Sequence, residues 1–156
     1  MLFDYILNIA RTSAWLAIKT SSDPAAKVGN LTQITIDGVL IPVLAQDIDL
    51  SEYTYIDPTS GTIKTAALTV EDDFQTILTV YADRDGAVTV GKGAEVTKHN
   101  HYIVNDIDKS QNFNKAVLGF IYIKNETGSQ FVWGTTELDA SNLTVLYTDT
   151  VSPLGF

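Results

Sequence analysis

His99 and His101 stand two residues apart, so on a strand their imidazoles would share a face and reach one metal ion. Asp106 or Asp108 would supply a third ligand; the plainer expectation is two exposed loop histidines. Asp83-Arg84-Asp85-Gly86 has the Asp-x-Asp-Gly core of a calcium loop. In that register, however, the first ligand would be Tyr81 and the twelfth Lys92, where a bidentate Glu belongs, so the stretch reads as a hairpin turn. The remaining acids gather in turn-like runs, Asp47/Asp49 and Glu71 to Asp73, where solvation accounts for them better than glycoside hydrolysis. No Gly-x-Ser-x-Gly elbow is present, and Gly91-Lys92-Gly93 lacks the spacing of a phosphate loop. With no cysteine, thiolate metal sites, disulfides and cysteine nucleophiles are excluded. The expectation is a protein that is not an enzyme and that needs no cofactor or metal.

The elements around these residues read as strands and turns. Leu31 to Ile36 and Val39 to Ile41 flank Asp37-Gly38, a two-residue hairpin signal, because both central positions of such a turn need positive φ. Pro42 has no N–H to donate and places the second strand at an edge or ends its pairing early. Gln46 to Tyr55 reads as an exposed connection. Thr62 to Val70 and Phe74 to Ala82 are β-rich and joined by the charged turn Glu71-Asp72-Asp73. Asp83 to Gly86 then turns the chain into Ala87 to Val90, after which Gly91 and Gly93 loosen it. Residues 94–114 read as a long polar loop with a short strand at Tyr102 to Val104. Ala116 to Lys124 is apolar almost throughout, as in a strand buried on both faces. Asn125 to Ser129 forms a turn, and Leu143 to Thr148 a last strand with Leu143, Val145 and Tyr147 on one face.

The N-terminal stretch supports two readings. Phe3, Ile6, Ala10 and Ala14 follow helical spacing, whereas Ala14, Leu16 and Ile18 alternate as in a strand. Thr20-Ser21-Ser22-Asp23-Pro24 ends whatever precedes it. The expected organisation is an N-terminal arm or short helix over residues 1–24 and a single β domain over 25–156. Roughly eight short strands make the fold class mainly β, an antiparallel sandwich or barrel-like domain.

At 156 residues the chain is long enough for one domain with its own core. Its 45% apolar and 19% charged residues exclude a disordered chain. Ten basic against 19 acidic residues give a net charge of −9, and no basic cluster interrupts it. Nucleic acid and anionic membranes are therefore not expected partners. The acid at Asp4 stands where a secretory signal would be basic, and the polar groups between Leu2 and Ile18 argue against a spanning helix. Phe131 and Trp133 sit beside Gly134 as a bulky pair that suits either core or interface, and Leu154 and Phe156 lie beyond the last strand as further contact candidates.

From Thr79 to Asp149 the order of motifs resembles small virion structural proteins of tailed bacteriophages, of the head-decoration, cement and head-fibre kind. The resemblance rests on Val80-Tyr81-Ala82-Asp83-Arg84-Asp85-Gly86-Ala87-Val88-Thr89-Val90, Lys115 to Ile123, Phe131-Val132-Trp133-Gly134-Thr135-Thr136-Glu137-Leu138-Asp139-Ala140 and Leu143 to Tyr147. It implies a protein of the virion that binds the outer face of the capsid, contacts the major capsid protein and its own copies as a homotrimer, and takes no small-molecule substrate. The N-terminal segment would then be a docking arm, with Leu2, Phe3, Tyr5 and Ile6 as its apolar contacts. A tail, baseplate or fibre component and a carbohydrate-binding β-sandwich are the alternatives.

Overall fold

The computed structural model describes residues 9–48, 51–100 and 114–150. Its strands in the first half are β1 (Ile9–Ala10), β2 (Leu16–Ile18), β3 (Ala26–Val28), β4 (Thr32–Ile36), β5 (Val39–Val43), β6 (Gln46–Ile48) and β7 (Glu52–Ile56). They continue with β8 (Ile63–Ala67), β9 (Thr69–Val70), β10 (Phe74–Asp83), β11 (Val88–Lys92), β12 (Val96–Thr97), β13 (Lys115–Asn125), β14 (Phe131–Val132) and β15 (Leu143–Asp149). The protein is mainly β and sandwich-like. The principal sheet runs β11-β10-β13-β1-β4-β5, with β12 also on β10 and β15 also on β13. Three small sheets, β2-β3-β6, β9-β14 and β7-β8, complete the described strands. Among the described residues every pairing is antiparallel except the parallel contact of β1 with β13 at Ile9↔Val117.

The long central strands set the core. β10 is buried along nearly its whole length, as expected of a strand covered on both faces, whereas β15 alternates half-buried with exposed residues. The core joins Ile34, Ile36, Leu78, Val80, Leu118, Ile121 and Ile123 of the principal sheet to residues of the smaller ones. The latter are Leu16, Ala26, Val28 and Ile48 from β2-β3-β6, and Val70 and Phe131 from β9-β14. Burying these faces against one another is what removes apolar area from water, at roughly 25 cal/mol per Å². β13 carries one extra residue, Leu118, where the register steps from Val80↔Gly119 to Tyr81↔Val117. Such a bulge sharpens the local twist and bends β13 just where β15 ends and β1 begins alongside it.

Several expectations hold. Asp37 and Gly38 have φ of 50° and 78° and close the β4–β5 hairpin with Ile36 opposite Val39. Of the two readings of Pro42 the edge position holds, since β5 is the last described strand of its sheet and its pairing runs on to Val43. Counting pairs outward from the turn puts Pro42 at a position whose nitrogen faces away from β4, so the missing donor blunts the open edge of β5. The Asp83–Gly86 turn joins β10 to β11, and Asp83 Oδ1 accepts the backbone N–H groups of Asp85 (2.9 Å) and Ala87 (3.0 Å).

Others need correction. Of the two readings of the N-terminal stretch, the strand holds from Ile9 on: β1 and β2 belong to the sheets, and Ala10, Ala14 and Leu16 are buried, while residues 1–8 of the expected arm or helix lie outside the described residues. The helical spacing of Ala10 and Ala14 is overridden by Thr12, whose hydroxyl accepts the Gln33 N–H (3.0 Å) and contacts the Thr32 hydroxyl (2.8 Å). Short polar side chains compete with helical hydrogen bonds in this way. Gln46 to Tyr55 is no mere connection, since it contributes β6, the buried Ile48 and most of β7. Its acids disguise alternation: Asp47 faces water between the inward residues of β6. Gly91 does not loosen the chain either. It is part of β11 and lies against the Tyr81 ring, so that an added Cβ would come within 3.1 Å of Tyr81 Cε2. The count of strands exceeds eight because many span only two or three residues. Tyr102 to Val104 lies outside the described residues.

Candidate functional site

The residues with chemical potential are mostly occupied in holding turns. Asp72 accepts the Gly128 N–H at 2.9 Å, Asp73 pairs with Lys98 at 2.6 Å, and Asp47 pairs with Lys19 at 2.8 Å. Glu71 accepts from the Gln130 amide, and Arg84 crosses to Asp37, tying the two hairpin turns together. His99 is exposed in the turn after β12; His101, Asp106 and Asp108 lie outside the described residues. Among the described residues no three His, Asp or Glu side chains gather as a metal site.

The aromatic pair offered as an interface is core. Phe131 is 0% and Trp133 1% exposed, with their rings edge-to-face at 6.3 Å. Trp133 Nε1 donates to the Ile48 carbonyl at 3.1 Å, which satisfies the indole inside the protein. Neither ring can anchor a partner in this fold. The other interface candidates, Leu2, Phe3, Tyr5, Ile6, Leu154 and Phe156, lie outside the described residues.

A different tryptophan is presented to solvent. Trp15, between β1 and β2, is 64% exposed and has a φ of 50°. Left-handed backbone is rare for a bulky residue and costs about 1–3 kcal/mol, so the surroundings must enforce it. Asp149, at the end of β15, does so: one carboxylate oxygen accepts from Ser13 Oγ (2.5 Å) and Trp15 N (3.1 Å), the other from Leu16 N (2.9 Å). On the other side the carbonyls of Ala14 and Trp15 accept the Gly29 N–H, at 2.9 and 3.1 Å. A Cβ at Gly29 would lie 2.9 Å from the Trp15 oxygen, so glycine is needed for that approach. Leu31, two residues further on, is also largely exposed.

Three groups meet at this knuckle: residues 13–16, the turn at Gly29 and the last residue of β15. Sequence reading missed it because Ser13, Gly29 and Asp149 are scattered along the chain, and no local pattern announces a left-handed tryptophan. Among the described residues the remaining large exposed apolar side chains are Val39, Leu40 and Leu44 around β5, Ile63 on β8 and Leu146 on the outer face of β15.

Tyr53 and Tyr55 share a face of β7 with their rings 5.8 Å apart, and the Lys92 ammonium lies 5.8 Å from the Tyr53 ring centroid. Burial, then Tyr55, then Glu95 hold the Tyr53 phenol above its ordinary value. Lys92 is itself paired with Glu95, which leaves this cluster internally balanced and attaches the β7–β8 hairpin to β11. Among the described residues no helix is long and apolar enough to cross a membrane. No protein-family model, curated protein or solved structure matches this chain.

Proposed function

We propose that this chain is a non-enzymatic structural protein that attaches to an assembled particle, specifically a decoration protein on the outer face of a tailed-bacteriophage head. One observation carries the binding half of this reading: three hydrogen bonds to the Asp149 carboxylate hold a left-handed backbone at Trp15, whose indole stands out in water. With its backbone already fixed, Trp15 has only its indole to order on binding, and tryptophan is among the side chains most enriched at the centres of protein interfaces. The particle half rests on the resemblance of Thr79 to Asp149 to phage head proteins. A cysteine-free, acidic, turn-rich β domain suits that role. The major capsid protein is the proposed partner, with Trp15 filling an apolar pocket on it.

The test is the location of the protein on purified virions, followed by binding of the isolated protein to undecorated heads. Trp15→Ala is expected to weaken head binding by about 30-fold, the equivalent of about 2 kcal/mol. Its stability should stay within about 0.5 kcal/mol of the parent, because the ring is exposed. Recovery with tails instead of heads would transfer the proposal to a tail or fibre component, and absence from particles would overturn it.

A further inference from the structure

The β7–β8 hairpin has an open side whose hydrogen-bonding groups match a second copy of themselves. β8 reads Ile63-Lys64-Thr65-Ala66-Ala67, and only Ala66 is even partly buried. Ile63 is 74% exposed, and an isolated two-stranded hairpin is marginal in water. The pairing with β7 fixes which backbone groups face outward. Asp57 N–H donates to the Thr62 carbonyl and Leu68 N–H to the Ser51 carbonyl, both at 2.9 Å. With the register Tyr55↔Lys64 and Tyr53↔Ala66, antiparallel alternation turns Lys64 and Ala66 toward β7. Ile63, Thr65 and Ala67 then direct their N–H and C=O groups to the open side. Among the described residues no strand pairs there.

We infer that β8 is a self-association edge, on which two copies join antiparallel across a two-fold axis at Thr65 into a sheet of order β7-β8-β8-β7. In that register Thr65 lies opposite the partner's Thr65, and Ile63 opposite the partner's Ala67. All three outward donors and all three outward acceptors of each copy are then satisfied. Lys64 faces the partner's Ala66, so no like charges oppose one another, and its ammonium already pairs with Asp57. The small Ala67 leaves room for the exposed Ile63, which gains an apolar neighbour. The contrast with β5 is informative, since Pro42 removes a donor from that edge whereas β8 has no proline, bulge or unpaired charge to close it. The contact does not depend on what the protein decorates. If the chain is also a trimer, the two-fold contact links trimers in pairs.

The test uses the whole chain, with mass in solution measured by light scattering over a dilution series. The parent is expected to reach an even multiple of the chain mass. Thr65→Pro removes one outward donor and none of the bonds to β7, and Thr65→Glu sets two carboxylates against each other on the axis. Each should halve the mass while leaving the far-ultraviolet circular dichroism unchanged. If Thr65→Pro fails to fold, Thr65→Glu decides alone. A parent that stays monomeric or shows only odd multiples overturns the inference, as does retention of the parent mass by the folded variants. Head binding of Trp15→Ala is read separately, so the two proposals can fail independently.

Discussion

Asp149 shows how one side chain can serve both stability and display. Its carboxylate accepts from Ser13, Trp15 and Leu16, and these bonds hold the left-handed turn at Trp15. Asp149→Ala leaves those donors without their acceptor and should cost about 1–3 kcal/mol in urea unfolding. It should also weaken particle binding although Trp15 itself is unchanged. Tyr147, two residues earlier, behaves oppositely: its hydroxyl is buried, and among the described residues no hydrogen-bond partner satisfies it. Burial, then the nearby Asp139, push its phenol up to about 12. A phenol raised in the folded state contributes stability that is intact below about pH 10 and lost as the pH climbs toward 12. Tyr53 and Tyr122, both raised chiefly by burial, act in the same direction. Tyr147→Phe should therefore unfold less steeply above pH 10 and be more stable at neutral pH by about 1 kcal/mol, as measured by urea titration at several pH values.

At the scale of elements, legibility followed sequence separation. The β4–β5 and β10–β11 hairpins were readable because a two-residue Asp-Gly turn and the Asp83 side chain fix them within a few residues. β13 was readable from its apolar content, but its neighbours were not. Its bulge at Leu118 and the approach of β15 depend on Gly119, where an added Cβ would lie 2.3 Å from the Thr148 oxygen and 2.6 Å from Leu16 Cδ1. Leu16 can shift its methyl, but the Thr148 carbonyl is backbone. Gly119→Ala should thus pry β15 from β13 and cost about 1–3 kcal/mol. Faster amide exchange confined to β15 and the Trp15 turn would identify that cause. The candidate site was less legible than the strands, because Phe131 and Trp133 look the same in sequence whether they end up inside or outside.

For the whole molecule, a net charge of −9 leaves its mark in acid. Three carboxylates sit below their usual range: the half-buried Asp57 through its bond from Lys64, the half-buried Glu126 through Lys124, and the exposed Asp139 through the Ser22 N–H. A depressed carboxylate contributes stability present above its unfolded value, near pH 4, and lost as the pH falls through the folded one. Stability should consequently decline below about pH 4. Because the groups and their partners lie at the surface and not in the core, the decline should be shallow and flatter still in molar salt, as followed by thermal unfolding. The same surface has two features that point outward, the Trp15 knuckle and the β8 edge. They lie on different elements, so the proposed attachment and the inferred self-association can be tested one at a time.

Alternation, β-branched runs and Asp-Gly turns were enough for the sequence to determine a mainly β chain, the two tight hairpins and the buried central strand. These are short-range features, set by pleat geometry and by the φ that each residue tolerates. Tertiary structure alone decided which tryptophan is inside. Trp133 is 1% exposed because β6 supplies a carbonyl for its indole across 85 positions of sequence. Trp15 is outside because Asp149, from the far end of the chain, fixes the turn beneath it. Burial is settled by partners distant in sequence, and a local pattern holds no record of them.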